Sequence, residues 1–347
     1  MTAKVVSFGC LNTQLAKDQT RITLDHLQEA NPRLSCRMQV VPSPVARVAQ
    51  QDEPFLAASA AEVEFLEEQL LAGEFRLAVV QALDLVLPLR EGLHFAAVIR
   101  RSPPFDAFLT RQNAILDEMP DGSVVGVMNF RSRTQMAALW PNLEFQLLRG
   151  GMQSALEALL RRCDLDGLVA PAAVAEHLGL QSIVAEIFNP ELILPSGGQG
   201  TMVVLGRMED TEASELLAPI HCETTLVEME AEHAFLQRFA SDLELPVGVL
   251  ARCEQGRVSI AGAVGSSAAA TAAMHVREGK ASEAAALGVS LAEDLLQNGA
   301  ALVGLLEAEF PDGVPGDEDE VEPPVDPDVE ILRELAAHDE STDFEDD

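Results

Sequence analysis

Lysine is almost missing from this chain. Only Lys4, Lys17 and Lys280 appear among 23 basic residues, against 56 acidic ones, and the 347 residues carry a formal net charge of −33. A field of that sign repels phosphate backbones and anionic headgroups, which excludes nucleic acid and anionic membranes as natural partners. It also disfavours carboxylate-rich substrates unless arginines are gathered locally. No apolar run approaches the ~20 residues of a membrane span. The start, Met1-Thr2-Ala3-Lys4-Val5-Val6, lacks a charged segment followed by an apolar one, so no signal peptide is expected. The five cysteines (Cys10, Cys36, Cys163, Cys222, Cys253) are odd in number and scattered, with no CxxC. That excludes a disulfide framework and a cysteine zinc cluster, and a reducing cytoplasm is the expected location.

What is present suits a globular body. Hydrophobic residues make up 48% and charged residues 23%, enough to bury a core, and the length predicts about two to three domains. Residues 311–347 separate from the rest: sixteen are acidic, and Arg333 is the single Lys or Arg. With Pro311, Pro315, Pro323, Pro324 and Pro327 near its start, this acidic tail is expected to be mostly disordered. Within it, Leu332, Leu335 and Ala336 share a helical face. The segment Val329–Ala336 therefore reads either as a short docking helix or as a fluctuating helix with no partner.

Residues 1–310 alternate strand-like and helix-like segments. Strands are predicted at Val5–Phe8, Met38–Val41, Leu77–Val80, Phe95–Ile99, Val124–Met128, Phe145–Leu148 and Leu168–Ala170. A helix is predicted over 151–162, with Met152, Leu156, Leu159 and Leu160 on one face. Another is predicted over 282–298, with Ser282 as N-cap and Leu287, Leu291 and Leu295 as its stripe. This alternation argues for α/β layers with mainly parallel pairing. Past about residue 219 the pattern changes to a long helix (221–240), then β-like runs Val247–Arg252, Val258–Val264 and Ala270–Val276, with a turn at Glu254-Gln255-Gly256. That pattern predicts an α+β C-terminal domain.

Few local motifs carry chemistry. Gly197-Gly198-Gln199-Gly200 lacks the lysine and hydroxyl of a P-loop and reads as a tight turn or hinge. His233 sits beside the apolar stripe of its helix and reads as a packed histidine. His221-Cys222-Glu223 diverge around a helix axis and do not form a metal set. Asp84, among aliphatic residues after a buried strand, allows two readings: a helix or turn cap, and a site carboxylate. Arg131, Arg133 and Arg149 follow strands and open helices, where a guanidinium beside a helix N-terminus suits a carboxylate or phosphate.

Several segments, in order, resemble the porphobilinogen deaminase (hydroxymethylbilane synthase) family: Asp106-Ala107-Phe108, Gly122-Ser123-Val124-Val125-Gly126, Pro141-Asn142-Leu143, Leu148-Arg149-Gly150, His177-Leu178-Gly179-Leu180, Leu194-Pro195 with Gly198-Gln199-Gly200, Glu223-Thr224-Thr225-Leu226, Ala231-Glu232, Leu245-Pro246-Val247-Gly248 and Val289-Ser290-Leu291-Ala292. The resemblance covers about residues 4–310. It implies an α/β fold with two periplasmic-binding-protein-like domains (1–99 with 199–218, and 100–198), a small α+β domain (219–310) and the acidic disordered tail (311–347). It implies an enzyme of tetrapyrrole biosynthesis that joins four porphobilinogen units on a dipyrromethane cofactor held through a cysteine thioether.

Matched residue by residue, the family's site is incomplete here. Its catalytic aspartate falls on Asp84, with Leu83 in place of the preceding lysine. Arg131 and Arg149 remain, while partner arginines fall on Ser132, with Arg133 one place further on, and on Ala155. The N-terminal arginine has Leu11 as its nearest match, and the lysine of the glycine-rich loop falls near Ser59. Arg101, Gln199 and Gly200 keep their positions and, with Arg131 and Arg149, form the implied substrate-binding set. The cofactor cysteine of the family's GGCQVP falls on Leu243, so no bound dipyrromethane is expected. Two functional readings follow. One is a family member tied to tetrapyrrole synthesis whose condensation activity is lost. The other is a non-catalytic protein on the same fold that binds a ligand or a protein partner. The partners expected are an anionic small molecule in the interdomain cleft, with Asp84 facing Arg131 and Arg149 across it, and a protein partner for the acidic tail.

Overall fold

The computed structural model describes residues 4–42, 60–85, 87–112, 114–148, 152–239, 246–266 and 271–298. The expectations for the acidic tail, Ser59, Arg149 and Leu243 lie outside the described residues. The chain first lays down β1 (Lys4–Leu11), α1 (Gln14–Ala30), β2 (Leu34–Val41), α2 (Ala60–Leu71), β3 (Leu77–Gln81) and β4 (Leu93–Val98). It then crosses over to build β5 (Asp106–Thr110), β6 (Val124–Val127), α3 (Phe130–Leu139), β7 (Glu144–Leu147), α4 (Met152–Glu157), β8 (Gly167–Pro171), α5 (Ala172–His177) and β9 (Val184–Ile187). A second crossing returns it as β10 (Met202–Arg207) and α6 (Thr211–Leu217). The chain continues through α7 (Glu223–Leu236), β11 (Val247–Glu254), β12 (Arg257–Ser266), β13 (Thr271–Lys280) and α8 (Ala284–Asn298).

The first two sheets have the same design, β2-β1-β3-β10-β4 and β7-β6-β8-β5-β9. Each runs four strands one way and a single strand, next to the edge, in reverse. The reversed strand is the one entering from the other sheet: β10 in the first, β5 in the second. The two sheets are therefore stitched together by a pair of crossovers, about 99–105 and 188–201. The central strands are buried along their length, as at Leu77–Val80 and throughout β5 and β8. Strands covered on both faces need such unbroken apolar runs. Helix α1 begins where the Thr13 hydroxyl accepts from the Ala16 N–H at 3.1 Å. It lays Leu24 and Leu27 on Val6, Phe8 and Leu77.

The third sheet is the antiparallel β11-β12-β13. Its first hairpin closes through Gln255-Gly256, both with positive φ (51° and 77°), and pairs Glu254 with Arg257. Two left-handed residues give the turn whose twist matches that of the flanking strands. Helices α7 and α8 cover one face, with Phe235, Val249, Ile260, Leu291 and Leu295 in the shared core. They pack backbone to backbone at Gly288, where a Cβ would lie 2.2 Å from the Ala231 carbonyl oxygen.

Three local expectations need correction. The 151–162 helix is α-helical only over Met152–Glu157 and continues as a π-turn over Ala158–Arg162, ending at left-handed Cys163. The wider i→i+5 turn rotates Leu160 out to solvent while Leu159 stays buried. Ser282 is not an N-cap: it lies inside a 3-10 turn, Ala281–Glu283, and the Lys280 N–H is capped by Glu283 at 3.2 Å. The long helix spans 223–236 rather than 221–240, beginning after His221 has bridged to Ile99.

Candidate functional site

The polar residues that the sequence singles out converge where the two crossovers meet the C-terminal domain. The crossovers run side by side, tied by Ser102 N–H to the Gly200 carbonyl at 3.0 Å and Ile99 N–H to the Met202 carbonyl at 2.9 Å. Two glycines make this approach feasible. Gly200 has φ +77°, and a Cβ there would lie 2.6 Å from the Ser102 carbonyl oxygen; Gly198, also at +77°, would place one 2.8 Å from the Leu83 nitrogen. Left-handed backbone with no room for a Cβ is available only to glycine.

A continuous ionic and hydrogen-bonded chain runs through this joint. Glu232 of α7, fully buried, accepts from Arg101 Nη1 at 2.5 Å and Nη2 at 3.2 Å. It also accepts from the N–H groups of Gly198 at 2.7 Å and Ala251 at 2.8 Å. Arg101 Nε donates to the Gln199 carbonyl at 2.9 Å. The Gln199 amide donates to the Pro104 carbonyl and to Asp106 Oδ1, both at 3.0 Å. Asp106 accepts from Arg131 Nη2 through Oδ2 at 2.6 Å. The rest of the Arg131 guanidinium donates to the Leu194 carbonyl (2.6 Å), Ser132 Oγ (2.9 Å) and Ser196 Oγ (3.2 Å). Both guanidiniums are nearly buried, at 7% and 5% side-chain exposure. Buried charges survive when paired and hydrogen-bonded, and each charged group of this set is both.

Asp84 sits beside the joint. It closes the 3-10 turn Ala82–Asp84 that follows β3, is buried, and accepts from the Gln81 amide at 3.4 Å. That turn is held by Ala82 N–H to the Thr201 carbonyl at 2.9 Å. Burial pushes the His233 pKa below the usual histidine value, against the pull of Glu232. The structure thus gathers Arg101, Arg131, Gln199 and Gly200 into one network with Asp106 and Glu232. Ser132, Ala155 and Leu11 are all buried.

Glu232 and Asp106 are the site residues that sequence reasoning missed. The signal was present: each is an acid inside an apolar stretch, Glu232 within a turn of Met229 and Phe235, and Asp106 ahead of Ala107-Phe108-Leu109. Of the cysteines, Cys222 is the N-cap of α7. Burial raises its thiol pKa. The Thr224 and Thr225 hydroxyls, the Thr225 N–H and the Arg100 charge outweigh this and leave it below the usual value. Burial and nearby Glu228 push the Cys253 thiol up. Among the described residues no group of three His, Cys, Asp or Glu could hold a metal ion, and no helix is long and apolar enough to cross a membrane.

Comparison with known proteins decides the family. The description "Porphobilinogen deaminase, dipyromethane cofactor binding domain" matches residues 6–215, and "Porphobilinogen deaminase, C-terminal domain" matches residues 226–297. The chain belongs to the porphobilinogen deaminase family. A porphobilinogen deaminase of Roseiflexus sp. (strain RS-1) is 32% identical over 291 residues, covering 84% of this chain and 95% of its own. One from Thermus thermophilus is 32% identical over 297 residues, covering 85% and 97%. Among solved structures, the methionine-binding protein MetQ aligns with a TM-score of 0.38 at 14% identity, over 63% of this chain and 91% of that one.

The cofactor named for the family can be tested against the residues present. A thioether needs a sulfur, and the position that the sequence resemblance matches to the family's cysteine is Leu243. Cys10 and Cys253 are buried, Cys36 and Cys222 are half-buried, and exposed Cys163 lies at the end of the π-turn. The donor set at position 243 does not fit a covalently held dipyrromethane.

Proposed function

We propose that this chain is a porphobilinogen deaminase family member that has lost the condensation of porphobilinogen to hydroxymethylbilane and carries no dipyrromethane. The observation that carries this reading is Leu243. A growing chain held covalently makes every addition effectively intramolecular, and leucine offers no lone pair to hold it.

The arginines support the same reading. By the residue match, two family arginines fall on Ser132 and Ala155, and a third has Leu11 as its nearest match. Each charge-assisted hydrogen bond to a carboxylate contributes about 1.5–3 kcal/mol. Losing three partners removes about 5–9 kcal/mol of binding if the contributions add, which neighbouring sites need not do. In this reading Arg101 and Arg131 hold the interdomain joint rather than substrate carboxylates, and a net charge of −33 opposes an anionic substrate in the cleft.

Turnover is the test. The purified full chain incubated with porphobilinogen releases no ammonia and forms no hydroxymethylbilane. The Leu243→Cys variant is equally silent, because positions 132 and 155 still leave carboxylates unpaired. Activity in the unmodified protein would refute the proposal. Activity in Leu243→Cys alone would show that the cysteine was the only loss.

A second reading rests on the acidic segment 311–347, with sixteen acidic residues and Arg333 its one Lys or Arg. It makes the chain a protein-binding module unconnected to tetrapyrrole synthesis. A second copy in the same genome, complete in its cysteine and arginines, would leave this chain free for that role.

A further inference from the structure

A cavity of about 250 Å³ lies where the first crossover meets the C-terminal domain, beside the Arg101–Glu232 pair of the joint. Pro104, Phe105 and Leu250 give it apolar walls, and Arg101, Glu228 and Arg252 give it charge. Arg101 is already committed to Glu232. The other two are not joined to each other or to any other described residue by an ion pair. Each is instead anchored separately. Glu228 Oε1 accepts from the Cys253 N–H at 2.9 Å, and the Arg252 guanidinium carbon lies 5.9 Å from the centre of the Phe105 ring. Burial, with nearby Glu232, holds the pKa of this carboxyl above the usual value, while the Cys253 N–H and the Arg101 and Arg252 charges oppose the rise. An acid and a guanidinium therefore line one small cavity, held apart, with an apolar wall beside them.

We propose that this cavity binds a small apolar α-amino acid, with its carboxylate on Arg252, its ammonium on Glu228 and its side chain against Phe105, Pro104 and Leu250. Neither a plain anion nor a plain cation suits the site, because each would meet one like charge. A zwitterion completes both. The volume lies below the ~300–1,000 Å³ of pockets for drug-sized ligands, which fits a ligand of amino-acid size. The site is independent of whether the family reaction persists, since none of its residues is a substrate or cofactor position except Arg101, whose guanidinium is held by the joint.

Calorimetric titration of the full chain with L-valine, L-leucine and L-methionine tests this, with isovalerate and isoamylamine as one-headed counterparts of leucine. The expected result is saturable binding of at least one amino acid, with the one-headed compounds weaker by about tenfold or more. Glu228→Gln keeps an acceptor for the Cys253 N–H, and Arg252→Met keeps an apolar stem over Phe105. Each is expected to weaken binding about tenfold or more while leaving the melting temperature unchanged. Should either variant fold poorly, Leu250→Phe, which fills the cavity, serves in its place. The proposal is overturned by the absence of saturable binding up to about 10 mM. It is equally overturned by a one-headed compound binding as tightly as the amino acid, or by binding that a folded variant leaves intact.

Discussion

Replacing Glu232 with leucine removes the centre of the joint. The carboxylate receives four hydrogen bonds, two from Arg101 and one each from the N–H groups of Gly198 and Ala251. Leucine fills the space but leaves a nearly buried guanidinium with only the Gln199 carbonyl, and two backbone donors without acceptors. Breaking a buried pair on one side costs about 3–5 kcal/mol, and each orphaned buried donor costs about 1–3 kcal/mol. Because these groups are neighbours the costs overlap, and a loss of about 4–6 kcal/mol is expected. The opposite change, Arg101→Leu, costs less, since Glu232 keeps both backbone donors. The double variant is predicted to be more stable than the sum of the singles by at least about 2 kcal/mol, because it no longer buries a lone charge. Thermal and denaturant unfolding of the four proteins reads all of this. The Glu232→Leu melting temperature is expected to fall by about 8 °C or more. A loss under about 1 kcal/mol, a larger loss from Arg101→Leu, or strict additivity would refute the reasoning.

Three further outcomes are expected. Burial holds the His233 pKa below its unfolded value, so below about pH 6.5 the unfolded chain takes up a proton that the folded one resists. Its contribution to stability is therefore lost as pH falls, and His233→Gln is predicted to lose less stability than the parent between about pH 6.5 and 5; equal losses would contradict this. Gly200→Ala, forced into left-handed backbone and against the Ser102 carbonyl, is expected to cost about 2 kcal/mol or more in a melt, and an unchanged melting temperature would count against the crossover geometry. With limiting iodoacetamide near pH 7, peptide mapping is expected to find Cys222 labelled ahead of Cys10, Cys36 and Cys253, whose thiols burial pushes up; Cys253 reacting first would reverse the assignment.

The layout of the fold was readable because its strands are apolar runs and its helices carry leucine stripes, so both periodicities stood out at Leu77–Val80 and at Leu287, Leu291 and Leu295. The third sheet was readable from the turn chemistry of Gln255-Gly256. The π-turn at 158–162 was not: the leucine spacing over 152–160 suits a straight helix, and only the packing of the second domain shows that Leu160 leaves the core. The joint was half readable. Arg131 stands out because cations are scarce, whereas Arg101, Gln199 and Gly200 enter a ligand-binding set only through the family resemblance. Their partners Asp106 and Glu232 come from distant elements, 25 and 131 residues away along the chain. No local pattern pairs such residues. An acid inside an apolar stretch was the available clue.

The absence of an attached dipyrrole is the property of this chain on which its proposed function turns. Its most direct measurement is the intact mass of the full chain, produced with porphobilinogen available, then denatured and dialysed. The prediction is the bare polypeptide, near 37.2 kDa, with no colour from Ehrlich's reagent. An added mass matching a dipyrrole, mapped to Cys222 or any other cysteine, would contradict it.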